Sequence, residues 1–196
     1  MLVFWQARLA LLAVPKTGTT ALEAALAPVA DAAVLNPPGL KHSGIRKWHR
    51  EWAPIFEAQG RRFETVACLR EPVSWLGSWW RYRARPDLDG KANSTAGVGF
   101  DAFCTDWLSA APPPHARIGE QARFVGWADG AARVDHLFRH DRMDALVAFL
   151  EDRLGHPIAL ERRNVSPAGP VEPSEATRAR LRAERPDEFA AWESLP

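Results

Sequence analysis

Leu9 to Val14 is a continuous apolar run that ends at Pro15, and what surrounds it limits this chain to few architectures. A run this short, closed by proline, has the pattern of a strand buried on both faces. Lys16-Thr-Gly-Thr-Thr20 then turns the chain. Thr20 with Glu23 three residues later matches a capping box, and Ala21 to Ala27 reads as a helix stopped by Pro28. Strand, tight loop and helix in succession are the opening of an α/β unit.

The pattern repeats along the chain. Ala32 to Leu35 is a weaker strand, and Asn36-Pro-Pro-Gly39 is a turn leading to Lys41 and His42. Ser43 to about Ala58 carries Ile45, Trp48, Trp52, Ile55 and Phe56 at helical spacing, with Pro54 expected to kink or divide it. Thr65 to Leu69 is the second clear buried strand, ending at Arg70, and Pro72 suits the first turn of a helix to about Arg85. Pro86 to Gly99 reads as an exposed, mobile loop, and Phe100 to Ala110 and Ile118 to Trp127 as helices. Val134 to Phe138 is a third strand, and Met143 to Leu154 an amphipathic helix closed by Gly155. After a proline-punctuated connection from Asn164 to Pro173, an Ala/Arg/Glu-rich helix starts at Ser174. The predicted fold is α/β, three-layer α/β/α, with a mostly parallel central sheet. Residues 1–196 form one domain, with 174–196 as a C-terminal helical appendage.

Composition narrows the function. Lys and Arg number 25 against 24 Asp and Glu, so the formal charge is +1 and nothing points to nucleic-acid binding. The apolar opening is interrupted by Gln6 and Arg8 and no small-residue cleavage site follows, and no run has the ~20 apolar residues of a transmembrane span. Two cysteines, Cys68 and Cys104, are too few for a disulfide framework and lack zinc-site spacing, which favours a reduced, cytoplasmic setting.

The chemistry concentrates at the carboxyl ends of the strands, where open α/β sheets bind ligands. Pro15-Lys-Thr-Gly-Thr-Thr20 has the makings of an anion pocket: Gly18 lets the backbone curl, the loop amides and helix start converge, and Lys16 stands beside them. An ordinary strand-to-helix turn is the plainer alternative. The loop is not that of a P-loop NTPase, since the leading glycine is missing and the lysine precedes the glycine. Such an enzyme also wants a strand-end carboxylate for magnesium, whereas the Thr65–Leu69 strand ends in Arg70, a fixed cation suited to a second phosphate.

On these residues the chain resembles the PAPS-dependent sulfotransferases, in the bacterial and carbohydrate-type branch. The resemblance rests on Pro15 to Thr20 and on Arg70-Glu-Pro-Val-Ser-Trp-Leu-Gly-Ser78, and more weakly on Val134 to Arg139 and Asn164-Val-Ser166. It implies a P-loop-NTPase-like sulfotransferase fold and the donor 3′-phosphoadenosine 5′-phosphosulfate, with no metal. By the same resemblance Pro15, Lys16, Thr17, Gly18, Thr19 and Thr20 hold the 5′-phosphosulfate, and Arg70 and Ser78 the 3′-phosphate. The glycine-rich basic C-terminal segment of the cytosolic branch is missing, and Arg162 or Arg163 could stand in for it. His42 is the expected base, on the same sheet edge as the loop, with Lys16 as the second catalytic group. His49, His115, His136 and His140 are reserves, of which His136 alternates with strand residues and reads as hydrogen-bonded or core. The acceptor is a hydroxyl or amine on a small molecule, glycan or lipid headgroup, contacted from Pro86–Gly99 and the Ile118–Trp127 helix.

Two alternatives remain at this stage. A P-loop-like kinase would need a carboxylate near Lys16, for which Asp135 is the strand-borne candidate, and a non-catalytic nucleotide-binding protein would share the loop. Trp75, Trp79 and Trp80, like Trp48 and Trp52, are expected to pack. Arg81, Arg83 and Arg85, with Lys41, Arg46, Lys47 and Arg50, make basic stretches that either steer an anion or are ordinary solvated faces.

Overall fold

A computed structural model describes residues 1–127, 132–160 and 171–196. Its strands are β1 (Leu2–Phe4), β2 (Leu9–Leu11), β3 (Ala32–Ala33), β4 (Glu64–Leu69) and β5 (His136–Arg139), in the order β3-β1-β2-β4-β5. β2, β4 and β5 run parallel, while β1 pairs antiparallel with both β2 and β3. The sheet is therefore mixed rather than mostly parallel. The reason is local: the apolar opening folds back on itself at Trp5–Arg8, where Arg8 takes a left-handed φ of 52° and donates its N–H to the Trp5 carbonyl (3.2 Å). A two-stranded hairpin needs no crossover, so it enters the sheet antiparallel.

The helices are α1 (Thr19–Leu26), α2 (Pro38–Lys41), α3 (Ile45–Lys47), α4 (Ala53–Phe56), α5 (Pro72–Arg83), α6 (Phe100–Leu108), α7 (Gln121–Val125), α8 (Met143–Leu154), α9 (Glu175–Glu184) and α10 (Pro186–Glu193). Alternation sorts the sheet into two buried faces. Leu2, Phe4, Leu9, Leu11, Val66 and Cys68 meet Leu22 and Leu26 of α1 and Leu146 and Leu150 of α8. Val3, Ala10, Leu12, Ala67 and Leu69 meet Ile45, Trp48, Ala122, Val125 and Ala191 on the other side. Burial on both faces is why the strands read as unbroken apolar runs. A third apolar cluster packs α5 through Trp75 and Leu76 against Phe103 and Trp107 of α6, Leu181 of α9 and Phe189 of α10.

Several local expectations are met or corrected. The 43–58 segment is divided: α3 passes into a π turn over Trp48–Trp52, in which Ala53 N–H bonds the Trp48 carbonyl, and then into α4, whose second residue is Pro54. The capping box does not form. Gly18 is the N-cap of α1 and no side chain caps it, while Glu23 takes an ion pair from Lys41 (2.7 Å). The 86–99 loop is exposed over most of its length yet pinned, since Thr95 is buried, donating its hydroxyl to the Trp80 carbonyl (2.7 Å), and Trp80 Nε1 donates to the Val98 carbonyl (2.7 Å). The C-terminal helix breaks at Arg185, where Pro186 starts α10. Cys68 and Cys104 are both buried free thiols. Among the described residues no helix is long and apolar enough to cross a membrane.

Candidate functional site: a cationic cluster around the 15–20 loop

Parallel β2 and β4 deliver the 15–20 loop and Arg70 to one edge of the sheet. Within the loop, Thr17 is fully buried and its hydroxyl donates back to the Val14 carbonyl (2.9 Å), closing a tight turn. Lys16 and Gly18 both adopt left-handed φ, 68° and 78°. Gly18 is required twice over: its φ favours glycine, and a Cβ there would stand 3.1 Å from Met143 Cε and 3.7 Å from His140 Nε2. Across the loop, Trp75 Nε1 donates to the Pro15 carbonyl (2.9 Å), fixing the loop to α5.

Arg70 follows the last residue of β4. Its Nε donates to Ser74 Oγ (2.9 Å) and its Nη1 lies 3.4 Å from the Lys16 carbonyl, joining strand end to loop. Lys16 Nζ sits 4.0 Å from the Tyr82 ring centroid and 5.7 Å from that of Trp79, on the face of α5. Burial, reinforced by the guanidiniums of Arg85, Arg70 and Arg81, pushes the Lys16 ammonium down to about 8. Burial, then Arg81, lowers Arg70 as well. Beside Arg70 opens a pocket of about 360 Å³, lined among others by Ser74, Gly77, Arg81, Val171 and Arg178. The charges of Lys16 and Arg70 are thus disfavoured by burial and by neighbouring guanidiniums, and the pocket beside them also carries the carboxylates Glu71 and Glu172, the latter paired with Arg178.

The expected residues divide as follows. Pro15 to Thr20 and Arg70 come together. Ser78 is buried in α5, and the serine that meets Arg70 is Ser74, one helical turn earlier, because the i, i+4 spacing from Arg70 falls there. His42 caps α2 and places its ring against the loop's approach: Nδ1 donates to the Ala13 carbonyl (2.7 Å), which leaves Nε2 with the free lone pair when the ring is neutral. Burial lowers the His42 pKa, so that neutral form is favoured. Of the reserves, His140 lies against Gly18, its pKa lowered by burial and then by Arg70. His115 bonds Asp106 (2.7 Å), His136 bonds Glu64 (2.6 Å) as a strand histidine should, and His49 is exposed. Arg162, Arg163 and Asn164-Val-Ser166 lie outside the described residues.

Asp135 is at the wrong end of the sheet for a metal ligand. It accepts from Thr65 N–H (2.8 Å), Thr65 Oγ1 (2.9 Å) and Arg62 (2.6 Å) at the start of β4. Arg70 is five residues further along, about 16 Å at the rise of a strand. Burial raises its carboxyl, but those donors outweigh burial and hold it below the usual aspartate range. A depressed pKa means stability present above pH ~4 and lost as pH falls through the folded value. Asp135→Asn is therefore expected to cost ~1–3 kcal/mol in urea unfolding at pH 7. The deficit should shrink below pH ~4, and an equal deficit at both pH values would show that the charge contributes nothing.

The basic stretches also separate. Arg81 and Arg85 face Lys16. Arg83 is buried and structural, donating to the Pro114 (2.7 Å) and Arg117 (3.2 Å) carbonyls, and Lys41, Lys47 and Arg50 are paired with Glu23 or Glu51. Tyr82 and Gln121 at the site had no motif to announce them. Comparison with known protein families, with curated proteins and with solved structures finds no match.

Proposed function

We propose that this chain transfers a sulfuryl group from 3′-phosphoadenosine 5′-phosphosulfate to a hydroxyl or amine, on a three-layer α/β/α scaffold of the P-loop-like sulfotransferase type. The observation that carries the reading is the contact between Arg70 Nη1 and the Lys16 carbonyl (3.4 Å), which sets a strand-end arginine beside the glycine turn at 15–20. Donors with phosphate groups on both sides of a ribose need two such cationic centres. ATP needs one, plus a metal-holding carboxylate close by, and the strand-borne candidate Asp135 is tied up at the other sheet end.

In this reading Lys16 and the amides of Thr17 to Thr20 neutralise the charge that builds on the phosphosulfate oxygens, and Arg70 holds the 3′-phosphate. His42 Nε2 takes the acceptor proton as the acceptor oxygen or nitrogen forms its bond to sulfur. The bond from sulfur to the bridging oxygen breaks, releasing adenosine 3′,5′-bisphosphate. The Ala13 carbonyl keeps the His42 tautomer correct for this (2.7 Å). Calorimetry should show the bisphosphate binding without metal more tightly than ATP with magnesium, and the reverse order would overturn the assignment. His42→Ala should lower turnover by ~10²–10⁴-fold with bisphosphate affinity kept. If His140→Ala has that effect and His42→Ala does not, the base is the imidazole beside Gly18 instead.

A further inference from the structure

Arg70 lies one residue past the last ladder pair of β4 with β5, Leu69 with Arg139. Its backbone is nonetheless fully paired, by a side chain. Arg70 N–H donates to Gln121 Oε1 (2.9 Å) and Gln121 Nε2 donates to the Arg70 carbonyl (2.9 Å), so one primary amide serves as a one-residue strand. Gln121 is only 2% exposed and is the first residue of α7. That helix start is in turn held from a distant part of the chain: Glu188 of α10, 3% exposed, accepts the Ala122 N–H at 2.7 Å through Oε1, while its Oε2 is buried without a hydrogen-bond partner.

We propose that Gln121 is the positioning residue for Arg70, and that Glu188, by capping the helix that carries Gln121, makes anion binding at Arg70 depend on the ionisation of a carboxylate outside the pocket. The proposal rests on the reading that Arg70 binds the donor's 3′-phosphate. A guanidinium delivers a directed hydrogen bond only as accurately as its Cα is held, and Gln121 holds both backbone groups of that residue. An ionised Glu188 is a better acceptor for the N-terminal amides of α7 than the protonated acid, and it suits the positive end of the helix.

Burial pushes the Glu188 carboxyl up to about 7; Glu120 adds to this and the Ala122 and Gln121 amides oppose it. The charged groups facing it are Glu120 and Arg123 at α7, Arg185 and Asp187 at the start of its own helix, Glu184 of α9 and Arg46 of α3, which together line a cleft of about 350 Å³. Arg185 Nε lies 3.3 Å from Glu120 Oε1, so part of the neighbouring positive charge is already engaged. The sign follows from the cap: as pH rises through neutrality Glu188 ionises, the start of α7 tightens, and affinity at Arg70 rises.

The test is a double-mutant cycle read by calorimetry with adenosine 3′,5′-bisphosphate, with amide hydrogen exchange as a ligand-free readout. Gln121→Ala should weaken binding about tenfold in the wild type and less than twofold in an Arg70→Ala background. Equal effects in the two backgrounds, or none in the wild type, overturn positioning. Between pH 6 and 8 the affinity of Glu188→Gln relative to wild type should fall, the loss of charge on Lys16 and the ligand's own ionisation being common to both; a ratio that does not change with pH overturns the role of Glu188. Without ligand, the Arg70 amide should be protected from exchange in the wild type and exposed in Gln121→Ala, and unchanged protection refutes the clamp even if the donor reading stands. If Arg70→Ala itself leaves bisphosphate affinity intact, the donor reading fails, while the exchange measurement still decides whether Gln121 fixes Arg70. Should Gln121→Ala not fold, Gln121→Met, which keeps the side-chain length and removes both hydrogen-bonding groups without adding charge, gives the same cycle.

Discussion

Arg70→Ala is expected to weaken adenosine 3′,5′-bisphosphate binding by ~10²-fold, about 3 kcal/mol, the scale of one or two charge-assisted hydrogen bonds removed from a half-buried site. The size follows from where Arg70 stands. Its guanidinium is half-buried and is braced by Ser74 Oγ (2.9 Å) and the Lys16 carbonyl (3.4 Å), so little of its rotamer freedom remains to be lost on binding. The same substitution removes one of the three guanidiniums that depress Lys16, so the Lys16 pKa should rise from about 8. Calorimetry with the bisphosphate and with ATP–magnesium separates the outcomes. Loss confined to the bisphosphate supports a 3′-phosphate site at Arg70. Equal loss for both ligands assigns Arg70 to the loop's own anion, and a change under about threefold removes Arg70 from binding altogether.

The second large effect concerns the loop rather than the ligand. Trp75 is 1% exposed, stacks edge-on with Trp79 and Trp107 (centroids 6.3 and 6.2 Å), and donates Nε1 to the Pro15 carbonyl (2.9 Å). Trp75→Ala should cost ~3–5 kcal/mol of unfolding free energy, from lost burial plus the cavity left behind. Trp75→Phe keeps most of the ring volume and removes the donor, leaving a part-buried carbonyl without its partner, which costs ~1 kcal/mol. The Phe variant is the informative one. If Trp75 fixes the loop, the variant should lose anion affinity as well as stability; loss of stability with bisphosphate affinity unchanged would make Trp75 a packing residue only. Chemical denaturation followed by tryptophan fluorescence, with calorimetry on the folded variants, measures both.

The contrast between Ser74 and Ser78 shows how far a motif reaches. The resemblance is what implied a phosphate contact at Ser78 beside Arg70, yet in three dimensions Ser74 meets Arg70 and Ser78 is buried one turn on. Spacing places residues on a helix, but the angle at which α5 leaves β4 decides which turn faces the arginine. The candidate carboxylate Asp135 illustrates the same limit. It was legible as a polar residue starting a strand, but parallel pairing of β4 and β5 puts a strand's first residue at the edge opposite the loop.

By itself the sequence determined the local pieces: the buried strands at Leu9–Leu11 and Glu64–Leu69, the glycine turn between strand and helix, the helix Met143–Leu154 closed by left-handed Gly155, and the placement of Lys16 and Arg70 at strand ends. These depend on short-range chemistry, namely continuous apolar runs, the φ that only glycine adopts freely, and proline's missing donor. The tertiary structure alone decided the pairing of β1 with β3, the pinning of the 86–99 loop by Trp80, and the pairing of Gln121 with Arg70 across 51 residues. Each of these satisfies a backbone polar group with a partner far away in the chain. Such partners leave no periodicity to read, because any residue with a donor and an acceptor can serve once the packing has brought it there.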